Sequence, residues 1–134
     1  MTGNLQIGLK NTVAQIVSEN DTALAVGSGS LKVLATPKML ALIEKAAADL
    51  AEKNLPPEFT SVGISINVSH IAPTPVGLEI RAEAELIEID GRKLIFEVAA
   101  YDSVEKIGMG RHERFIVDRK KFQTKADKKV VDKN

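Results

Sequence analysis

The sequence predicts an α+β domain in which one long amphipathic helix lies against a curved antiparallel sheet. Three observations predict it. Apolar residues recur at helical spacing between Met39 and Leu50. Beyond Pro57 the chain alternates apolar and polar residues in several successive segments, the pattern of strands with one buried and one wet face. Asp90-Gly91 stands between two of these segments, and that pair suits the positive φ angles of a tight hairpin.

In chain order, residues 5–16 carry Ile7, Leu9 and Val13 among polar neighbours and read as a strand. Thr22 to Val26 reads as a short second strand, and Gly27-Ser28-Gly29-Ser30 as a loop. Thr36 before Pro37 has the form of an N-cap followed by proline in the first helical position. Met39, Leu40, Ile43, Ala46, Ala47 and Leu50 then share one helix face, with Lys38, Lys45, Asp49, Glu52 and Lys53 opposite. The helix is expected to end near Asn54, ahead of Pro56-Pro57.

Four strands follow. Val62, Ile64, Ile66 and Val68 mark one, which leads into the connection Ile71-Ala72-Pro73-Thr74-Pro75. Leu78, Ile80, Ala82, Ala84 and Leu86 mark the next, before the Asp90-Gly91 turn. Leu94, Phe96, Val98 and Ala100 mark the third, and Ser103 to Glu105 turns the chain. Ile107, Met109, Phe115 and Val117 outline the last. Residues 123–134 are mostly charged and are expected to be a disordered tail, which leaves 1–122 as a single domain. One helix cannot cover a wide sheet, and the outer strands leave open edges. A second copy of the chain would cover both, so a homodimer or a higher oligomer is expected.

Composition narrows the function. The 134 residues suit one domain. Eighteen basic and eighteen acidic side chains cancel, which gives no basic surface for nucleic acid or membrane. There is no cysteine, hence no disulfide, thiolate metal site or cysteine nucleophile. Met1 to Lys10 lacks the pattern of a secretory signal, and no apolar run approaches the ~20 residues that span a bilayer. A cytoplasmic location is expected.

A few residues stand out from this plan. Glu44 projects about 40° from Leu40 and about 20° from Ala51, at the border of the apolar stripe. It is either an edge residue bent out to solvent or a carboxylate facing a wet cavity, because a buried unpaired one is costly. Thr36 is either a simple cap or a hydroxyl beside a substrate at a helix N-terminus. His70 ends a strand. It is either structural or an acid–base group, since imidazole titrates near neutrality. His112 and Arg114 share one face of the last strand, with Arg111 and Glu113 on the other. They read as charged cross-strand pairs, except that the Arg114 guanidinium also suits an anionic group of a substrate. Gly63, in a strand rich in β-branched residues, marks a bulge or a close approach of a ligand.

Other sites are set aside on chemistry. Gly27-Ser28-Gly29-Ser30 lacks the Gly-Lys-Ser/Thr ending of a phosphate loop. Two histidines far apart, without a spaced carboxylate motif, make a poor metal site. No serine stands in a Gly-x-Ser-x-Gly elbow. One tyrosine and no tryptophan argue against single-stranded nucleic acid.

Taken in order, these residues resemble the fluoroacetyl-CoA thioesterase-like family of hotdog-fold thioesterases. The resemblance is carried by Val33-Leu34-Ala35-Thr36-Pro37 with Leu42-Ile43-Glu44, then by Val62-Gly63 and the run Asn67 to Gly77. Asp90-Gly91-Arg92, Ile107-Gly108 and Arg111-His112-Glu113-Arg114-Phe115 continue it, over about Leu5 to Phe122. It implies a hotdog dimer with active sites near the subunit interface, a catalytic set of Thr36, Glu44 and His70, and substrate contacts at Gly63 and Arg114. The implied reaction is hydrolysis of a small acyl-coenzyme A thioester to free acid and CoA. No metal and no cofactor are implied beyond the coenzyme A of the substrate. His70 would serve as general base and then acid. Glu44 would orient His70 or water, or attack directly to give an anhydride. Backbone amides would hold the oxyanion. The fluoroacetyl-specific enzyme covers its pocket with aromatic side chains just before the threonine. Here Gly27 to Leu34 has none, so the acyl group stays open. A non-catalytic acyl-CoA-binding module and a hotdog dehydratase or hydratase are the competing readings, and release of free thiol separates them from hydrolysis.

Overall fold

The computed structural model describes residues 1–133. Its elements are β1 (Lys10–Ile16), a 3-10 turn (Glu19–Asp21), α1 (Ala23–Val26), α2 (Thr36–Glu52), β2 (Phe59–His70), β3 (Glu79–Asp90), β4 (Lys93–Asp102), β5 (Lys106–Asp118) and α3 (Arg119–Lys133). The strands form one antiparallel sheet in the order β1-β3-β4-β5-β2, so β1 and β2 are its edges. This is the helix-and-sheet plan of the α+β hotdog fold.

The core lies between α2 and the inner face of the sheet. Met39, Ile43, Ala46, Ala47 and Leu50 of α2 are buried, as the helical spacing predicts. They meet Ile80, Ala82, Ala84 and Leu86 of β3 and Leu94, Phe96, Val98 and Ala100 of β4. The alanines on both α2 and β3 let helix and sheet approach closely. Two glycines of β5 also admit close contacts, Gly108 with α2 and Gly110 with the neighbouring strand β2. A methyl group on Gly108 would press on the Met39 side chain at 2.8 Å, and one on Gly110 would meet the Asn67 carbonyl of β2. The Asp90-Gly91 turn joins β3 to β4, with Gly91 at φ +60°.

The structure differs from the sequence reading at several places. β1 begins only at Lys10, after Gly8 at φ +98°. Thr22 to Val26 is not a strand but the start of α1. The Thr22 hydroxyl accepts from the Ala25 amide at 3.1 Å, and Gly27 ends the turn in the left-handed region. Thr36 is the first helical residue rather than the cap, which is Ala35, and Pro37 comes second. Residues 123–133 are helical, continuing α3, whose first turn is capped by Asp118 accepting from the Lys121 amide at 2.9 Å; Asn134 lies outside the described residues. In β5 the inner positions are held by His112, Arg114 and Ile116, while Met109 and Phe115 lie on the exposed side.

β2 carries the difference that matters most. Its register against β5 shifts between Gly63 and Ser65, which makes Ile64 the extra residue of a bulge. Ser61 and Gly63 point inward before the bulge, Ile66 and Val68 after it, and Ile64 is 50% exposed. Val62 and Ile64 therefore do not share a face with Ile66 and Val68.

Candidate active site

The N-terminus of α2 is fixed by ties from two sides. The Ala35 amide donates to the Asp21 carbonyl at 2.8 Å, and the Leu34 amide to the Thr74 carbonyl at 2.8 Å. The buried Thr74 hydroxyl in turn donates to Asp102 Oδ2 at 2.9 Å. Asp102 also accepts from the Val104 and Glu105 amides, and these hydrogen bonds outweigh its burial and hold its carboxyl below the usual range. The connection after β2 is thus anchored to β4 and cannot drift from the helix end.

This places Thr36 against His70, the last residue of β2. Thr36 Oγ1 lies 2.7 Å from His70 Nδ1. The other ring nitrogen, Nε2, is buried and has no hydrogen-bond partner among the described residues. Burial lowers the His70 pKa, opposed by the Ala72 backbone, so the ring is neutral at pH 7. A hydroxyl in contact with a neutral imidazole is the geometry of a nucleophile or water-orienting group beside a base. The pair borders an open cavity of about 350 Å³ walled by Leu34, Ile71, Ala72 and Pro73.

A second cluster forms at the β2 bulge. Gly63 faces Arg114 across the β2–β5 pair, and Ile66 faces His112. A methyl group on Gly63 would lie 3.0 Å from Glu44 Oε2, 3.2 Å from His112 Cε1 and 3.4 Å from Arg114 Nη1. Glu44 of α2, Gly63, His112 and Arg114 therefore converge on one point. Arg114 is only 7% exposed. It donates from Nε to the Ser61 hydroxyl at 2.8 Å, from Nη2 to the Ser61 carbonyl at 3.0 Å and from Nη1 to His112 Nε2 at 3.1 Å. Burial disfavours its charge, and the Glu44 carboxylate opposes that. A buried guanidinium needs such a counter-charge.

Of the five residues expected at the site, the chain brings together Thr36 with His70, and Glu44 with Gly63 and Arg114. The two groups are separate. Eight residues of helix place Thr36 and Glu44 about 12 Å apart along the α2 axis. No hydrogen bond among the described residues joins Glu44 to Thr36 or His70. His112, read as part of a charged surface, is instead 1% exposed and central to the second group. A larger depression of about 660 Å³ on the outer face of the sheet, between Lys10, Glu97 and Tyr101, holds none of these residues. No cluster of His, Cys, Asp or Glu with metal-binding geometry occurs among the described residues. No helix among them is long and apolar enough to cross a membrane.

Comparison with known proteins identifies the family and the fold. A family described as fluoroacetyl-CoA-specific thioesterase matches residues 17–120. A fluoroacetyl-CoA thioesterase of Streptantibioticus cattleyicolor is 40% identical over 99 residues, which is 74% of this chain and 71% of that protein. The solved structure of the fluoroacetyl-CoA thioesterase FlK superposes with a TM-score of 0.87 at 33% identity, covering 93% of this chain and 97% of that one. A threonine-to-serine variant of FlK in complex with acetyl-CoA gives 0.88 at 33% identity, covering 93% and 98%. A Thermus thermophilus hypothetical protein of the thioesterase superfamily shares the fold, with a TM-score of 0.86 at 22% identity over 96% and 97% of the two chains.

Proposed function

The chain belongs to the fluoroacetyl-CoA-specific thioesterase family, and from that premise we propose that it hydrolyses a small acyl-coenzyme A thioester at a site completed by two subunits. It is a thioester hydrolase. The observation that carries the site is the Thr36–His70 contact, with a buried, unpartnered Nε2 beside an open cavity.

The chemistry divides as follows. Water attacks the thioester carbonyl, directly or after transfer of the acyl group to the protein, and the products are a carboxylic acid and the CoA thiol. His70, neutral at pH 7, accepts the proton of the attacking group and returns one to the departing sulfur. Thr36 orients that imidazole and lies at the N-terminus of α2, where the helix dipole favours developing negative charge. Glu44 orients water or attacks the carbonyl to form an anhydride. Gly63 leaves room for the substrate beside Glu44, and Arg114 meets negative charge on it.

Glu44 cannot do this beside the Thr36 and His70 of its own chain, about 12 Å away along the helix. A dimer supplies the solution. β2 is an edge strand of 12 residues that pairs on one side only, with β5, among the described residues. Antiparallel pairing of β2 with its copy about a two-fold axis sets the Gly63 end of one strand toward the His70 end of the other. Thr36 and His70 of one subunit then face Glu44, Gly63 and Arg114 of the partner subunit. No cofactor is required beyond the coenzyme A of the substrate, and a cytoplasmic location fits the reaction.

The test is release of free thiol from a panel of short, branched and aromatic acyl-CoA thioesters, with His70→Ala and Glu44→Gln alongside. Each variant alone is expected to be inactive, and mixed dimers of the two to regain hydrolysis at the one intact composite site. Tight acyl-CoA binding without thiol release would make the protein a binding module. Turnover unchanged by His70→Ala would defeat the mechanism, and inactive mixed dimers would defeat the shared site.

A further inference from the structure

We propose that His112 is a positioning residue for the reaction, one that aims the Arg114 guanidinium and locks the β2 bulge beneath Gly63. The proposal rests on the reading of Arg114 as a substrate contact.

The side chain is 1% exposed and bonded on both ring nitrogens. Nδ1 lies 2.9 Å from the Ser65 carbonyl, which can only accept, so Nδ1 carries the proton and donates it. Nε2 then holds a lone pair, and it accepts from Arg114 Nη1 at 3.1 Å. The two bonds define one tautomer. Ser65 is the residue at which β2 resumes its register after Ile64, so the imidazole ties down the far side of the bulge. Arg114 is held at its other end by both polar atoms of Ser61, on the near side of the same bulge. Gly63 lies between. The ring edge at Cε1 would be 3.2 Å from a methyl group on Gly63, so His112 also shapes the floor on which a substrate would rest.

A protonated ring would lose the acceptor that Arg114 needs and would set two cations together. The surroundings guard against this. Burial is the largest influence and favours the neutral ring, and Arg114 acts in the same direction. The Ser65 carbonyl is the main opposing influence, and Glu44 on α2 and Glu113 on β5 each oppose the neutral ring more weakly than Arg114 supports it. The stack of His112 on Phe96 of β4, with centroids 6.4 Å apart, fixes the ring plane.

The experiment is a double-mutant cycle on kcat/KM for thiol release, supported by thermal unfolding of each variant. His112→Phe keeps the ring volume and loses both hydrogen bonds. His112→Gln restores an acceptor toward Arg114. His112→Asn keeps a donor toward Ser65 and loses that acceptor, and it replaces His112→Phe if the latter does not fold. The expected result is a drop on the order of 10- to 100-fold for His112→Phe, matching Arg114→Met and adding nothing to it, with most activity kept in His112→Gln. In the wild-type protein, imidazole nitrogen shifts are expected to show Nδ1 protonated and Nε2 bare. Additive losses, or an unchanged kcat/KM in His112→Phe, would overturn the role. So would the opposite tautomer. A wild-type protein that releases no thiol would overturn the hydrolase reading instead, and the tautomer would still decide whether His112 holds Arg114.

Discussion

Gly63→Ala separates the needs of the fold from those of the site. The backbone at Gly63 is not in the left-handed region, so alanine can adopt it. Replacing glycine in a strand restricts the unfolded chain and favours folding by about 0.5–1 kcal/mol. Against this, the added methyl would lie 3.0 Å from Glu44 Oε2, 3.2 Å from His112 Cε1 and 3.4 Å from Arg114 Nη1. Glu44 and His112 must retreat by a few tenths of an ångström, while Arg114 stays at ordinary contact. Such overpacking typically costs about 1–3 kcal/mol, and Glu44, a flexible side chain at the nearest contact, lowers the figure toward the small end. The net change in stability is therefore within about 1 kcal/mol, a shift of a few degrees in Tm for a domain of this size. The displacements fall on Glu44, at the proposed site, and on His112, which holds Arg114 there, and misplacement of about 1 Å at such a site can cost a factor of 100. We expect a loss of one to two orders of magnitude in thiol release at nearly unchanged Tm. Wild-type hydrolysis by a normally folded Gly63→Ala protein would refute the idea that this convergence sets the rate.

Three further outcomes are expected. His70 and His112 are both held below their ordinary pKa by burial. The unfolded chain therefore binds more protons as pH falls below about 6.5, so stability present at pH 7.5 should decline through pH 6 and below, read as a falling urea midpoint. His70→Phe together with His112→Gln should flatten that slope, and an equally steep slope in the double variant would exclude both histidines as its cause. Thr74→Val removes the one side-chain donor to Asp102 Oδ2. It should destabilise the protein by about 1–3 kcal/mol in chemical denaturation, the cost of leaving a buried acceptor unsatisfied, and an unchanged midpoint would mean that the connection after β2 is held by other ties. Removal of residues 122–134 should shift the unfolding midpoint by no more than a few tenths of a kcal/mol, because Lys125, Lys128 and Lys129 of this stretch are exposed and the Arg119–Glu52 pair at 2.5 Å is retained; a large loss would assign α3 a structural task.

Much of the framework was legible in the sequence because it follows from period and turn chemistry. The 3.6-residue repeat of α2, the alternation of β3 and β4 and the Asp90-Gly91 turn each act over enough residues to outweigh local noise. α1 was not legible, since four residues carry no period, and only Thr22 as a cap signals it. Gly63 signalled the bulge only as one of two readings, and the change of faces that it causes was hidden for a different reason. Val62-Gly63-Ile64-Ser65 alternates without a break, and the irregularity exists only in the pairing with β5. α3 was misread from its charge. Lysine, arginine, glutamine and alanine are good helix formers, and Asp118 supplies the cap. Thr36, Glu44 and His70 drew attention as polar residues at ends and borders. His112 stood out only as a member of a charged cross-strand set, because Arg111-His112-Glu113-Arg114 has the composition of a wet strand. The partners that satisfy its inner half, Ser61 and Ser65, are more than forty residues earlier and indistinguishable from other serines.

The segment over the cavity is attached differently from everything beneath it. Between Ala23 and Val33 the chain folds back on itself through the Ala23-to-Val33 and Leu24-to-Leu31 backbone bonds. Leu24, Val26 and Leu31 are 51%, 40% and 68% exposed, so little of the core depends on them. The groups of the proposed site rest on long strands and a helix, whereas this wall of the cavity is held mainly by backbone bonds, among them the Val33–Pro75 bridge. Ala23, Ser28 and Val33 of that segment line the cavity beside Thr36 and His70, so under the proposed function a library aimed at the acyl group would begin there.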